Sequence, residues 1–302
     1  MVLKSSLKIV ITTFLACCVL PLVCSLSDAQ RSLHTPAIKE RVAIKDSIFY
    51  SSSLQRNMHY RVIIPRGYAT GGRVPVLYLL HGLYGDYQNW DTRTGLANYV
   101  QNLRWLIVMP DADDSWYTNS ATVPAERFED YIVKDLIAEI DGKYRTIHDG
   151  HTRAISGLSM GGYGAVKLGL KYPELFAFAG SLSGAFNAAQ DLDHLRPEFR
   201  TKLLEVFGNE GGDTRAENDI FRLLNTPHQA PYPYFYVACG TADFFLSTNR
   251  ALTQELSAKK LAYEYHETSG GHTWEYWDQA LKPMLNAIDE QLWQHPRHAR
   301  HQ

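Results

Sequence analysis

The chain has 302 residues, a formal net charge of -2 and a hydrophobic fraction of 45%, which is the composition of a globular protein and not of a disordered or fibrous one. A charge near zero, without a Lys/Arg cluster in the body of the chain, gives no reason to expect a nucleic-acid partner. The length suits one α/β domain with a large buried core.

Residues 1–29 are organised like a secretory signal peptide. Lys4 and Lys8 come before or at the start of an apolar run from Ile9 to Val23, and small polar residues follow it; this is the order of a basic region, a hydrophobic region and a cleavage site. We predict cleavage after Ala29 and a secreted or periplasmic mature chain. The alternative is an uncleaved membrane anchor, although the run falls short of the ~20 residues that span a bilayer. We therefore expect no stable membrane span in the mature chain.

The cysteines fit export without an internal disulfide. Cys17, Cys18 and Cys24 lie in the predicted signal, where they leave a lipoprotein anchor as a further alternative, and Cys239 alone remains in the mature chain. One cysteine cannot form an internal bridge. Because Cys239 lies within the apolar run 234–240, we predict a buried structural thiol.

The first half of the mature chain alternates between strand and helix patterns. Segments 41–45 and 59–64 alternate apolar and polar residues, which predicts half-buried antiparallel strands. Continuous apolar runs at 74–80 and 106–110 predict central parallel strands, because such strands are covered on both faces. The segment 123–144 follows as a helix with its apolar side chains near one face.

The second half contains one irregular stretch. Residues 184–229 are polar and glycine-rich with only short helical patterns, and we interpret them as an insertion over the active site, with a disordered excursion as the alternative. The regular segments around it are a strand at 176–182, a strand at 232–240, a helix at 249–260, a strand at 262–267 and a helix at 273–293. We predict one catalytic domain over 30–294 and a disordered tail at 295–302.

The segment around Ser159 predicts a nucleophile elbow. The sequence Gly157-Leu158-Ser159-Met160-Gly161 lies between a predicted strand and a predicted helix, which is the context in which a serine is held on a strained turn at the top of an α/β-hydrolase sheet. The flanking glycines fit because a Cβ there would crowd the neighbouring backbone. Alone the pattern is weak, since a strand-to-helix turn uses the same residues for structural reasons.

Two further residues complete a Ser, Asp, His order along the chain. Asp243 and His272 each follow the carboxyl end of a predicted strand, where open α/β sheets gather their chemistry. In this arrangement His272 takes the proton from Ser159, and Asp243 orients the imidazole. Each also has a structural alternative, because aspartate caps helices and histidine occurs in glycine turns. The other aspartates between Ser159 and His272 in the predicted insertion are Asp191, Asp193, Asp213 and Asp219.

Acyl transfer also needs N–H donors for the oxyanion. One usually follows the nucleophile and the other lies in the loop after the third strand, which points to Met160 and Leu83. The alternative for the second donor is an ordinary strand-ending turn, which Gly82 and Gly85 would also suit.

These pieces together resemble the esterase D family of α/β-hydrolases. The matching segments are 81–86, 113–118, 157–165, 240–243 and 270–274. The resemblance implies an α/β-hydrolase fold, with a mostly parallel central sheet and helices on both faces. It also implies Ser159, Asp243 and His272 as the triad and Leu83 and Met160 as oxyanion donors. The family includes S-formylglutathione hydrolases, tributyrin and feruloyl esterases, enterochelin esterases and mycolyltransferases, so the substrate is not implied.

The segment after the strand at 106–110 is predicted to border the substrate pocket. Trp116 and Tyr117 are the candidate pocket residues, with a packed aromatic wall as the alternative. Asp113 and Asp114 fit a solvated turn or, less well, a calcium site, since their spacing is not that of an EF-hand. The sequence lacks a His-Glu-x-x-His pattern, so we expect neither a catalytic metal nor a cofactor.

The sequence therefore favours an exported serine carboxylesterase that hydrolyses a small-molecule carboxylic ester through an acyl-enzyme. An acyltransferase, in which an alcohol replaces water in the second step, is the alternative within the same chemistry. The alternative from another class is a non-catalytic binding module on a hydrolase scaffold.

Overall fold

The computed structural model describes residues 42–190, 192 and 197–294. The predicted signal peptide and tail, together with Asp191 and Asp193, lie outside the described residues. All described residues belong to one compact unit. Among the residues that the structure describes, no helix has the length and apolar composition of a membrane span.

Eight strands form one sheet in the order β1-β2-β4-β3-β5-β6-β7-β8. The strands are β1 (Ala43–Ser51), β2 (Arg56–Ile64), β3 (Val76–Leu80), β4 (Leu106–Pro110), β5 (Arg153–Leu158), β6 (Phe178–Leu182), β7 (Tyr234–Gly240) and β8 (Tyr263–Thr268). The strand β2 pairs antiparallel with β1 and β4, and every other pairing is parallel. The predicted mostly parallel sheet is thus confirmed.

The side chains of the central strands divide between two apolar layers. In β3, Val76, Tyr78 and Leu80 belong to one core cluster, and Leu77 and Leu79 belong to the other. This division follows from the two-residue period of a strand, which places successive side chains on opposite faces. Continuous apolar runs are therefore required here, because helices cover both faces of the sheet.

The helices form the two outer layers. They are α1 (Asn89–Arg93), α2 (Leu96–Tyr99), α3 (Phe128–Asp130), α4 (Ile137–Lys143), α5 (Met160–Lys171), α6 (Pro197–Phe207), α7 (Asp213–Glu217), α8 (Ile220–Leu223), α9 (Leu246–Ala258) and α10 (Trp274–Asp289). Buried side chains of α4, α5, α8 and α9 belong to the first cluster, and those of α1, α2 and α10 belong to the second. The predicted insertion over 184–229 contains α6, α7 and α8.

Two predicted elements have different bounds. The helix expected to begin at residue 123 begins at Phe128, because the Ser120 hydroxyl accepts a hydrogen bond from the N–H of Val123 and closes a turn there. A π-helical segment, Tyr131–Leu136, joins α3 to α4. The first strand extends to Ser51, well beyond the predicted 41–45, because its pairing with β2 continues to the hairpin.

Candidate active site

Ser159 lies on a strained turn between β5 and α5. Its backbone has φ 52° and ψ -115°, which is unfavourable for a residue with a Cβ. A Cβ added at Gly157 would lie 2.5 Å from the carbonyl carbon of Gly161, and one added at Gly161 would lie 2.5 Å from the carbonyl oxygens of Leu80 and His81. Both glycines are therefore required for the close approach of the turn to its neighbours.

The structure brings Ser159, His272 and Asp243 into one hydrogen-bonded line. Nε2 of His272 lies 2.9 Å from Oγ of Ser159. On the other side of the ring, Nδ1 lies 3.0 Å from Oδ2 and 3.2 Å from Oδ1 of Asp243. A proton on Nδ1 is held by the carboxylate, which leaves Nε2 free to accept from the hydroxyl.

Asp243 is held as a carboxylate in a nearly closed environment. Burial raises its pKa, but hydrogen bonds from His272, from the N–H of Phe245 and from the hydroxyl of Ser183 outweigh that effect, and the pKa lies below its ordinary value. The Phe245 N–H donates to Oδ1 at 2.8 Å, and the Ser183 hydroxyl also accepts from the indole of Trp277 at 3.1 Å. The carboxylate is thereby fixed in position and in charge.

Three aromatic rings surround the imidazole of His272. The ring centroids of Phe244, Trp277 and Phe245 lie 4.4, 4.9 and 5.3 Å from that of the imidazole. Phe244 is 71% exposed, so it covers the histidine at the mouth of the site. Packing on several sides limits rotation of the imidazole, which keeps Nε2 directed at Ser159.

Two backbone N–H groups near Ser159 are available as donors. Met160 is the first residue of α5, so its N–H has no partner one turn earlier in the helix. The N–H of Leu83, in the loop after β3, donates to no other described residue. The side chain of Leu83 lines the same cavity as Ser159.

A cavity of about 740 Å³ opens onto the hydroxyl of Ser159. Its walls come from the loop after β3, from α1, from the residues after β6, from α6 and from the loops that carry Asp243 and His272. The apolar side chains among them are Leu83, Trp116, Leu158, Ala185, Ala188, Phe199, Leu203, Phe244, Phe245, Trp274 and Trp277. Arg93 is the only Lys or Arg among the described residues of the lining, and none of those residues is acidic. The cavity therefore suits an apolar group beside the serine.

The Esterase family model matches residues 51–288. The chain belongs to this family. It is a serine hydrolase that acts on ester bonds, and the predicted membership of the esterase D family is confirmed.

The relatives of this esterase agree with the family. It is 27% identical to an acetyl esterase of Caldicellulosiruptor saccharolyticus, over 82% of this chain and 97% of that protein. It is 29% identical to an esterase of Mycobacterium tuberculosis, over 74% of this chain but only 54% of that protein, so the chain spans about half the length of this second relative.

Solved structures have the same fold. Fluorophosphonate-binding serine hydrolase F of Staphylococcus aureus superimposes with a TM-score of 0.74 at 25% identity, over 82% of this chain and 99% of that one. An S-formylglutathione hydrolase of the same organism superimposes with a TM-score of 0.72 at 26% identity and the same coverage. The predicted α/β-hydrolase fold is thereby confirmed.

Of the two predicted pocket residues of the esterase, one lines the cavity and the other does not. Trp116 lines the cavity, whereas Tyr117 is completely buried and does not line it. The prediction for Tyr117 is wrong because its hydroxyl points inward and donates to the carbonyl oxygen of His81 at 2.8 Å. Tyr117 therefore supports the loop after β3 from behind.

The acidic pair after β4 has protein partners in the esterase. Asp113 forms an ion pair with Arg56 at 2.5 Å, and Asp114 accepts the N–H of Tyr84 at 2.7 Å. The described residues include no group of three or more His, Cys, Asp or Glu side chains that could hold a metal ion.

Sequence reasoning did not identify most of the cavity wall. Phe244 and Phe245 directly follow Asp243, and Trp274 lies two residues after His272. An aromatic residue close to Asp243 and to His272 was therefore the available signal. Phe199 comes from α6 in the predicted insertion. It lies far along the chain from the predicted catalytic residues, so no local pattern marked it as a cavity residue.

Proposed function

We propose that this esterase is an exported carboxylesterase that hydrolyses carboxylic esters through an acyl-enzyme formed on Ser159. The observation that carries the proposal is the continuous hydrogen-bonded line from Asp243 through His272 to a strained serine at the wall of an apolar cavity.

In the first step, Nε2 of His272 takes the hydroxyl proton while Oγ of Ser159 bonds to the ester carbonyl carbon. The same imidazolium then gives its proton to the leaving alcohol, and the acyl-enzyme remains. A water molecule loses a proton to His272 and attacks the acyl carbon, and the proton returns to Ser159 as the acid leaves. Asp243 stabilises the imidazolium in both steps without itself taking the proton.

The developing oxyanion requires donors that are already in place. We assign the N–H groups of Met160 and Leu83 to this role. Met160 directly follows Ser159 along the chain, Leu83 lines the same cavity as Ser159, and neither N–H donates to another described residue. Removing one such donor costs about 10²- to 10³-fold in kcat in a serine protease. Fixed donors act most strongly where the cavity excludes water.

Water as the final acceptor has the stronger support. The family and the relatives above are named esterases. A mycolyltransferase of Mycobacterium leprae is less similar, with 24% identity over 75% of this chain. Turnover in the presence of a competing alcohol separates the two reactions, because a transferase would give mainly the new ester and a hydrolase mainly the acid.

A fluorophosphonate probe tests the nucleophile directly. We expect one phosphonyl group per chain, located on Ser159 by peptide mass spectrometry, and pretreatment with the probe should abolish ester hydrolysis. Labelling at another serine, or full activity after stoichiometric labelling, would contradict the proposal. Export with signal cleavage is a separate proposal that depends on residues 1–29. Retention of the chain in the cytoplasm would contradict export, and a secreted chain that still begins at Met1 would contradict cleavage.

A further inference from the structure

A completely buried lysine lies in α5, about two helical turns after Ser159. Lys167 is 0% exposed. Its Nζ donates to the carbonyl oxygen of Tyr117 at 2.6 Å, to the hydroxyl of Thr118 at 2.9 Å and to Oε2 of Glu129 at 2.7 Å. An ammonium group has three donors, so all of them are used, and two hold the loop after β4.

Glu129 supplies the balancing negative charge. Its other oxygen accepts from Lys171 at 2.6 Å and from the hydroxyl of Tyr172 at 2.7 Å. Burial raises the pKa of Glu129, but Lys167 and Lys171 outweigh it and lower the pKa to about 2. Burial lowers the pKa of Lys167 to about 8. Both groups are therefore charged at neutral pH.

The loop held by Lys167 has an unfavourable backbone. Asp113, Trp116 and Tyr117 have φ angles of 45°, 56° and 53°. Each such residue costs on the order of 1–3 kcal/mol and persists only when its surroundings enforce the conformation. The hydrogen bond from Lys167 to the carbonyl oxygen of Tyr117 acts directly on this strained segment.

The same loop contacts the loop after β3 at three points. The hydroxyl of Tyr117 donates to the carbonyl oxygen of His81 at 2.8 Å, and Nε2 of His81 accepts the N–H of Ala112 at 3.0 Å. The carboxylate of Asp114 accepts the N–H of Tyr84 at 2.7 Å. These contacts are on both sides of Leu83 along the chain, so the position of its N–H depends on the loop after β4.

We propose that Lys167 is a positioning residue for catalysis, which holds the loop after β4 and, through Tyr117 and His81, sets the place of the Leu83 N–H beside Ser159. The inference rests on the proposed function, because it assigns Leu83 as an oxyanion donor. Lys167 itself does not line the cavity and touches no reacting atom.

The test variant is Lys167→Met combined with Glu129→Gln, since removal of the lysine alone leaves a buried carboxylate with one cation fewer. The measurements are kcat and KM for 4-nitrophenyl acetate, inhibition by a boronic acid that forms a tetrahedral adduct on Ser159, and thermal unfolding. We expect kcat to fall about 10- to 100-fold, as a misplacement of ~1 Å can cause, and KM to change by less than about threefold. Binding of the boronic acid should weaken by a factor similar to that in kcat, because it needs the same donors.

Two further variants isolate the contact. Lys171→Met removes the other cation of Glu129 but leaves the loop contacts, so kcat should stay close to wild type. Tyr117→Phe keeps the ring and removes only the hydrogen bond to His81, so it should lower kcat even if the double variant unfolds. When Tyr117→Phe is combined with the double variant, kcat should fall little further than in the double variant alone, because both changes interrupt the same line of contacts.

The outcomes separate this inference from the proposed function. An inactive Ser159→Ala beside a double variant with normal kcat would leave the esterase mechanism intact and overturn the positioning role. An equal loss of kcat in Lys171→Met, or additive losses with Tyr117→Phe, would also overturn it. Normal turnover in Ser159→Ala would instead overturn the function on which the inference rests.

Discussion

Two hydrogen-bonded networks are connected to α5, and they differ in whether they border the cavity. Ser159, directly before the helix, is hydrogen-bonded to His272, which is hydrogen-bonded to Asp243; we call these three residues the accessible network, because the serine and the histidine border the cavity. Lys167, within the helix, pairs with Glu129; we call this pair the enclosed network, because Lys167 borders no part of that cavity. Proton transfer to a substrate requires side chains that the substrate can reach. A loop, by contrast, is fixed best by buried hydrogen bonds, because water does not compete with them.

The two pKa shifts in the enclosed network have opposite effects on the stability of the fold. Glu129 is lowered from 4.5 to a pKa of about 2, so its ionisation stabilises the fold above pH 4.5. Lys167 is lowered from 10.5 to a pKa of about 8, so its protonation destabilises the fold below pH 8. The two contributions oppose each other at neutral pH, which is typical of buried pairs. We therefore expect this pair to act mainly by fixing the loop after β4 through the hydrogen bonds of Lys167.

The largest expected effect is the loss of the nucleophile in the accessible network. Ser159→Ala should lower kcat on the order of 10⁶-fold, as in a well-studied serine protease. Because the hydroxyl is at the cavity wall, thermal unfolding should change little. Assay of purified protein against an ester substrate measures the loss, and near-normal turnover would remove Ser159 from the mechanism.

The orienting carboxylate should have the next largest effect. Asp243→Asn favours the wrong imidazole tautomer, and the corresponding change costs about 10⁴-fold in kcat in the serine protease that the triad chemistry was worked out on. The controls are asparagine at the four aspartates of the predicted insertion, which should leave kcat close to wild type. They are Asp191, Asp193, Asp213 and Asp219. If one of them lost activity and Asp243→Asn did not, the acid would be misassigned.

Sequence patterns predicted all three candidate catalytic residues, and in the structure His272 lies within hydrogen-bond distance of both Ser159 and Asp243. Each lies just after the end of a strand. A local pattern is sufficient to predict such a position, because an apolar run is followed by a glycine turn and then by a polar side chain. The catalytic roles themselves stay predictions that the two substitutions above would test. The continuous apolar runs likewise predicted the central strands, because coverage on both faces restricts composition strongly.

What the sequence could not predict depends on contacts between distant segments. Lys167 is an ordinary helical lysine by sequence, and only the packing of α5 against the loop after β4 buries it. Tyr117 was expected in the pocket because its segment follows the strand at 106–110, but consecutive left-handed residues turn its ring inward. The start of α3 depends on a side-chain hydrogen bond of Ser120, which competed with helical propensity.

Unfolding at acid pH should reveal how much the ionised Glu129 of the enclosed network contributes to the stability of the fold. As the pH falls through 4.5 towards 2, wild type should lose the stabilisation supplied by ionised Glu129, a contribution of about 3 kcal/mol by linkage before the opposing lysine is counted. Glu129→Gln should be less stable at pH 7 but lose less on acidification. Thermal unfolding between pH 7 and pH 3 measures the difference, with exposed Glu217→Gln as the control. Parallel curves for wild type and Glu129→Gln would contradict the charge state assigned to the enclosed network.

A smaller effect is expected at the cavity wall. Trp116 packs against Tyr163 and Phe207 with centroid distances of 5.7 and 6.2 Å. Trp116→Phe should raise KM about five- to tenfold, which is the lower end of the ~1–3 kcal/mol that a small change in apolar contact is worth in a substrate pocket. Trp105→Phe, away from the cavity, should leave KM unchanged, and equal shifts in both variants would remove Trp116 from the substrate contacts.

The smallest effect is expected at Cys239, which is buried in β7 and does not line the cavity. Burial raises the pKa of its thiol to about 12, so the reactive thiolate is scarce at pH 8. Protein expressed from Gln30 should resist iodoacetamide when folded and take up one alkyl group when unfolded, and reductant should not alter activity. Rapid alkylation of the folded protein would contradict this, as mass spectrometry would show.

The absence of side chains at Gly157 and Gly161 also affects how the enzyme tolerates sequence change. Because the turn that carries Ser159 rests directly on the carbonyl oxygens of Leu80 and His81, main-chain contact sets the spacing between nucleophile and neighbouring loop. Substitutions in the cavity wall can then accumulate over evolutionary time, altering which esters are accepted while the spacing at the reacting atoms stays constant.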